Sequence, residues 1–81
     1  MQLAYWGRLV LLLDGWKPLY LPMLKFLEPK LASGALIVAD DLAVAPDALA
    51  AYVRYVRDAA NGYVSVEVPL GDRIELSVRC A

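Results

Sequence analysis

The sequence predicts a small α/β domain, and three patterns indicate this class. Two solid apolar runs, from Leu9 to Leu13 and from Ala35 to Ala39, are separated by a stretch with helical spacing. Such runs are typical of strands buried on both faces, as in a parallel sheet covered by helices. A second helical stretch and then two alternating segments follow. The predicted element order is β-α-β-α-β-β, with two parallel strands, a C-terminal antiparallel hairpin and helices covering the sheet.

The length of 81 residues corresponds to one domain, so residues 1–81 are expected to form a single domain. Hydrophobic residues make up 60% of the chain, whereas ordinary domains contain about 45–50%. A core this small cannot hold all of them, so we expect part of the apolar surface to meet a partner. An incomplete domain or an obligate oligomer fits this composition better than a free monomer.

Charge and composition exclude several classes of function. The net charge is −1 and no basic run exists, which argues against binding to nucleic acid. The chain has no histidine, which excludes Ser-His and Cys-His catalysis and histidine-ligated metals. One cysteine, Cys80, excludes a disulfide framework and a zinc knuckle. The start of the chain resembles neither a signal peptide nor a membrane span, which favours a cytoplasmic protein.

The first helix is predicted from Pro18 to Ala32, because apolar residues recur there at helical spacing, with Pro29 ending or kinking it. A strand, a helix and a strand in about thirty residues form a right-handed crossover with parallel strands. If the two strands are neighbours, Asp14 and Asp40 reach the same edge of the sheet. Residues 1–7, which are aromatic and apolar, are interpreted as an arm and a candidate contact surface.

The second helix is predicted from Pro46 to Ala60, and Asn61-Gly62 is a strong stop signal. Its charged residues are interpreted as a solvated face rather than a site. Residues 63–68 and 74–79 alternate in polarity, and the five residues between them have turn chemistry. They predict a hairpin with a five-residue loop.

The residues that could carry chemistry are Asp14, Lys17, Asp40 and Asp41. Carboxylates at neighbouring strand ends supply hard oxygen ligands, which suit Mg²⁺, Ca²⁺ or Mn²⁺. Lys17 could neutralise these acids, or act as a base beside a metal-bound substrate hydroxyl. A plainer interpretation stays open, since aspartates often end strands because they begin turns, and Lys17 could be a surface charge.

One further resemblance rests on three segments. They are Leu-Leu-Leu-Asp-Gly-Trp-Lys-Pro-Leu-Tyr at 11–20, Leu-Glu-Pro-Lys-Leu-Ala-Ser-Gly-Ala-Leu-Ile-Val-Ala-Asp-Asp at 27–41, and Val-Pro-Leu-Gly-Asp-Arg-Ile-Glu-Leu-Ser at 68–77. In this order and spacing the chain resembles the C-terminal half of class I S-adenosylmethionine (SAM)-dependent O-methyltransferases, in particular the metal-dependent catechol and caffeoyl-CoA type. The resemblance implies a partial Rossmann-like methyltransferase sheet.

The resemblance also implies roles for these residues. Asp14, Asp40 and Asp41 match metal ligands, and Lys17 matches the catalytic base. The chain departs from the family because it has no glycine-rich cofactor loop, has Asp41 where Asn is frequent, has Arg73 where a second glycine is frequent, and inserts Trp16 in the ligand-bearing loop. We therefore expect a methyltransferase-like protein without the SAM-binding half, inactive by itself and oligomeric.

Three alternatives follow for activity and partners. The chain is a methyltransferase-like module, or an assembly subunit that completes a split SAM-dependent O-methyltransferase, or an autonomous enzyme whose dimer builds a cofactor site. The first two imply a partner at the strand edge from Leu9 to Leu13 and at the N-terminal arm, either a second copy or a cofactor-binding subunit. Mg²⁺, or Ca²⁺ or Mn²⁺, is the implied cofactor, and SAM binds only if a partner supplies the missing half.

Overall fold

A computed structural model describes residues 4–6 and 9–80 of the chain. Within these residues two α-helices, α1 (Tyr20–Leu27) and α2 (Pro46–Arg57), accompany one mixed sheet. The strands of the sheet are β1 (Ala4–Trp6), β2 (Val10–Leu13), β3 (Leu36–Ala39), β4 (Tyr63–Val68) and β5 (Ile74–Arg79). The predicted α/β class is confirmed, and the structure adds one strand, β1, to the predicted order.

The strand order in the sheet is β1-β2-β3-β5-β4. β2 and β3 are parallel, as predicted, and Leu13 pairs with Ala39 at their carboxyl ends. β4 and β5 form the predicted antiparallel hairpin, and β5 lies between β3 and β4. The sheet therefore combines a parallel crossover with a terminal hairpin.

β1 occupies the edge of β2 at which a partner was expected. Ala4 pairs with Leu13 and Trp6 with Leu11, in antiparallel orientation. The segment interpreted as an arm thus contributes a strand, while residues 1–3 and 7 of that segment lie outside the described residues. A partner at this edge would have to displace β1 or pair beyond it.

A proline determines where α1 ends, and another determines where α2 begins. α1 is shorter than predicted, because Pro29 ends the regular helix and residues Glu28–Lys30 continue as a 3₁₀ turn. Pro46 begins α2, where its missing N–H is not needed. α2 ends at Arg57, before the predicted end at Ala60, and a 3₁₀ turn over Ala59–Asn61 follows it. Gly62 adopts φ 85° at the end of that turn.

The core lies on one face of the sheet, where α1 and α2 pack side by side. The rings of Tyr20 and Tyr52 meet edge to face across the two helices, with centroids 6.0 Å apart. The strand side chains beneath them are fully buried, namely Leu11, Leu13, Ile37 and Ala39. The prediction of strands buried on both faces is therefore wrong. Each helix follows a strand in a right-handed crossover, the two crossovers run the same way across the sheet, and the helices pack against each other. The described helices therefore cover only one face of the sheet.

The opposite face of the sheet is aliphatic and has no helix over it within the described residues. Its side chains form two rows across four strands. One row is Leu12, Val38, Leu76 and Val66, and the other is Val10, Leu36, Val78 and Val64. Val64 is 67% exposed and Val66 56% exposed. We call these eight residues the open sheet face.

The inner face of the hairpin carries polar groups instead. Glu75 is completely buried, and its carboxylate accepts hydrogen bonds from the guanidinium of Arg57 at 2.9 and 2.6 Å. Ser65 donates to the same carboxylate at 2.7 Å. The hairpin therefore turns its polar residues toward α2 and its valines toward the open sheet face.

Candidate functional site

Three carboxylates meet at the carboxyl ends of β2 and β3. Asp14 follows β2 directly, and Asp40 and Asp41 follow β3. One oxygen of each carboxylate lies within 4.8 Å of the others. The predicted convergence of Asp14 and Asp40 at one edge is confirmed, because parallel neighbouring strands end at the same edge.

Lys17 lies against this cluster and forms an ion pair with it. Its Nζ is 2.8 Å from Oδ2 of Asp41 and also donates to the carbonyl of Gly15 at 2.8 Å. Burial lowers the pKa of Lys17, but the hydrogen bond to Asp41 and the charges around it outweigh burial and raise the pKa above 10.5. Lys17 is thus a cation at neutral pH that neutralises part of the cluster.

Tyr20 joins the two strand ends and was not recognised as a site residue from the sequence. Its hydroxyl accepts a hydrogen bond from the Gly15 N–H at 3.2 Å and donates to the Asp40 carbonyl at 3.3 Å. The spacing of α1 assigned Tyr20 to the core face, and its ring is buried there. Only the position of its hydroxyl, which sequence periodicity cannot show, connects it to the site.

Asp41 has a left-handed backbone conformation with φ 67°. Aspartate tolerates this region better than most residues because its short side chain bonds locally. The Asp41 N–H donates to Oδ1 of Asp40 at 2.7 Å. The carboxylate of Asp40 is therefore held by the backbone N–H of the next residue.

The donor set fits a hard divalent cation. Carboxylate oxygens are the ligands that such cations prefer, and one oxygen from each of the three carboxylates lies within 4.8 Å of the others. The arrangement supplies oxygen ligands only, which suits Mg²⁺, Ca²⁺ or Mn²⁺ rather than a thiolate-preferring metal. Lys17 occupies one oxygen of Asp41, so a cation and the Lys17 ammonium would compete for that group.

A second set of polar residues lies beside α2, away from the carboxylates. Arg54, Arg57 and Arg73 line a cavity of about 750 Å³ together with Glu67 and Asp58. The sequence interpretation treated the charges of α2 as a solvated face. No sequence signal joins Arg73 of the hairpin loop to α2, because their proximity depends on the sheet order.

Comparison of the chain with models of known protein families and with curated proteins finds no match. Neither α1 nor α2, the α-helices of the described chain, has the length and hydropathy needed to cross a bilayer.

Proposed function

We propose that this chain is a methyltransferase-like module that carries the metal-and-base half of an O-methyltransferase site. The observation that carries the proposal is the convergence of Asp14, Asp40 and Asp41 at one sheet edge with Lys17 bonded to them. These are the four residues to which the family resemblance assigns metal binding and proton transfer. The mixed sheet, in which a terminal hairpin adds to two parallel strands, is compatible with a partial Rossmann-like fold.

The carboxylates of Asp14, Asp40 and Asp41 would hold the cation and so position two oxygens of a vicinal diol or catechol substrate. When bound, the cation supplies Lewis-acid activation of the substrate hydroxyl. Tyr20 fixes the distance between the two ligand-bearing segments through its hydrogen bonds to Gly15 and Asp40. Holding the reacting groups in position can supply a large part of the reduction in the free-energy barrier to methyl transfer.

Lys17 would accept the proton that the substrate hydroxyl loses. In the described structure its ion pair with Asp41 keeps the pKa raised and the amine protonated. A cation held by the Asp41 carboxylate would take from Lys17 the partner that helps to raise its pKa. The neutral amine, which is the form that can accept a proton, would then be easier to reach, so base function would depend on metal binding.

The cofactor site has no counterpart in the described residues. The sequence contains no glycine-rich loop after a strand, and such a loop brings a helix N-terminus to a nucleotide in Rossmann-like folds. SAM therefore binds only where a second copy or a cofactor-binding subunit supplies that half. We infer that the chain by itself is inactive.

Mn²⁺ titration followed by electron paramagnetic resonance tests the metal site. We expect one saturable site per chain, and we expect Asp40→Asn to weaken binding about tenfold or more. Asp47→Asn is the matched control, because Asp47 is an exposed carboxylate in the first turn of α2. Equal affinity of the wild type and Asp40→Asn, or no saturable binding, would overturn the proposal.

Calorimetric titration of SAM, with and without Mg²⁺, tests the cofactor half. We expect no heat of binding at millimolar SAM. Saturable binding near one SAM per chain would overturn the inference of inactivity and favour the autonomous enzyme. In that case the oligomer must rebuild a cofactor site.

The open sheet face supports the expectation that the chain is oligomeric. Its eight aliphatic residues carry no charge and span four neighbouring strands, whose three intervals cover about 14 Å at the usual strand spacing. Isolated proteins rarely leave so continuous an apolar surface in water. We propose that a second copy of the chain covers this face, because two identical apolar sheet faces can pack against each other about a two-fold axis.

Sedimentation equilibrium tests this assembly with two variants of similar exposure. Val64→Lys places a charge on the open sheet face, whereas Val44→Lys places one in the β3–α2 segment at 61% exposure. We expect a dimer for the wild type and Val44→Lys, and a monomer for Val64→Lys. A monomeric wild-type protein would overturn the homodimer and leave a separate subunit as the occupant to be sought.

A further inference from the structure

A cavity of about 750 Å³ lies between α2, the segment that connects β3 to α2, and the turn of the β4–β5 hairpin. This volume falls within the range of about 300–1,000 Å³ that small-molecule sites occupy. The residues that line it include none of Asp14, Lys17, Asp40 and Asp41. The cavity is therefore separate from the carboxylate site.

The floor of the cavity is apolar. Four apolar residues that we call the floor line the cavity, namely Leu42, Pro46, Leu49 and Val53, and of these Leu42 and Leu49 are buried. These side chains belong to α2 and to the segment before it, so the floor is part of the folded core rather than a surface loop. A flat or branched apolar group would be desolvated on this floor.

Guanidinium groups surround the floor. Arg57 is hydrogen-bonded to the buried Glu75, and Nε of Arg73 forms an ion pair with Oε2 of Glu67 at 3.1 Å. Arg54 forms no ion pair with any described residue, and each guanidinium offers five N–H donors. The arginines that line the cavity therefore have further N–H donors for an anionic group.

Two carboxylates in the wall limit the charge that a ligand can bring. Glu67 and Asp58 line the cavity beside the three arginines. A dianionic phosphate would be repelled by both, whereas one carboxylate can share the arginines with them. The balance of charges therefore favours a monoanion.

Arg73 lies at the cavity with a strained backbone conformation. Its φ is 71°, a left-handed conformation that is unfavourable for an arginine. The Arg73 carbonyl accepts from the N–H of Leu42 at 3.1 Å, and the Asp72 carbonyl accepts from the N–H of Ala43 at 2.8 Å. These hydrogen bonds connect the hairpin turn to the segment that contributes to the cavity floor.

We propose that this cavity binds a small amphipathic monocarboxylate. The apolar body of the ligand lies over Leu49 and Val53, and its carboxylate lies between Arg54 and Arg73. This site goes beyond the proposed methyltransferase-like function and does not depend on it.

Amide NMR titration tests the proposal with 1-naphthoate and its neutral analogue 1-naphthalenemethanol. We expect saturable shifts in residues 42–54 and 67–73, and an affinity about tenfold lower for the alcohol, since one charge-assisted hydrogen-bonded pair is lost. Equal affinity for both ligands, or shifts confined to the open sheet face, would overturn the proposal.

Two variants and a control complete the test. We expect Arg54→Gln and Arg73→Gly each to weaken naphthoate binding about five- to tenfold. Arg73→Gly also relieves the left-handed strain, so lost binding cannot be attributed to lost folding. Lys25→Gln, which removes an exposed cation of α1, is expected to bind like the wild type. Unchanged binding by both arginine variants would overturn the proposal.

Discussion

The Nζ of Lys17 lies 2.8 Å from Oδ2 of Asp41, across 24 residues of sequence. This ion pair ties the loop after β2 to the end of β3, and the Lys17 side chain in it is only 11% exposed. It neutralises one of three clustered carboxylates. The same contact sets the protonation of the proposed base.

Asp41→Asn is expected to lower the pKa of Lys17. The substitution removes the charge that helps to raise this pKa, while asparagine tolerates the left-handed backbone at position 41. NMR titration of the Lys17 side-chain methylene signals measures the change. Asp72→Asn is the control, because Asp72 is an exposed carboxylate of the hairpin loop. An unchanged Lys17 pKa in Asp41→Asn would show that the ion pair is absent in solution.

Two tyrosine hydroxyls are expected to affect stability in opposite directions. The hydroxyl of Tyr52 is buried without a hydrogen-bond partner among the described atoms, whereas that of Tyr63 donates to Glu28 at 2.7 Å. We expect Tyr52→Phe to raise the free energy of unfolding by about 1 kcal/mol and Tyr63→Phe to lower it by about 1.5 kcal/mol. Urea denaturation measures both. A destabilised Tyr52→Phe protein would mean that the hydroxyl has a partner in solution.

Arg73→Gly is expected to raise the free energy of unfolding by about 0.5–1 kcal/mol. Glycine adopts positive φ at little cost, and the lost ion pair with Glu67 is exposed and contributes little. Arg73→Ala removes the same side chain but keeps the strain, so it should not stabilise the protein. If both variants gain equally in thermal denaturation, the backbone of position 73 is not strained.

Hydrophobic periodicity was sufficient to predict the crossover and the hairpin. The runs that end at Leu13 and Ala39 are parallel neighbours, and the juxtaposition of Asp14 with Asp40 follows directly from their order. These features depend on local spacing and on the right-handed crossover, which hold for nearly all such units. The sequence therefore indicated the carboxylate cluster.

The covered face of the sheet could not be predicted in the same way. An alternating strand shows two faces but not which of them the helices take, and here Ser65 and Glu75 face α2 while Val64 and Val66 do not. The apolar runs of β2 and β3 suggested cover on both sides. Tertiary packing of α1 against α2 on one side decided the outcome, and no local pattern encodes it.

The stability of the fold is expected to fall as the pH rises above 10. Burial raises the pKa of Tyr52, with a further contribution from the charge of Glu75. Burial and the hydrogen bond to Glu28 raise the pKa of Tyr63 in the same way. Both tyrosines thus titrate near 10.0 in the unfolded chain and higher in the folded one.

The sign follows from proton linkage. Above pH 10 the unfolded chain has released the protons of Tyr52 and Tyr63 while the folded chain keeps them, so alkali favours unfolding. The stabilisation is complete below pH 10 and is lost as the pH approaches the folded-state values. Each tyrosine lowers the free energy of unfolding by about 1.4 kcal/mol per pH unit in that range.

Urea denaturation at pH 8, 10 and 11 measures this decrease in the free energy of unfolding with pH. Tyr63→Phe should make the decrease with pH smaller, by the amount that one tyrosine contributes. A free energy of unfolding that stays constant from pH 8 to 11 would contradict the burial of both hydroxyls.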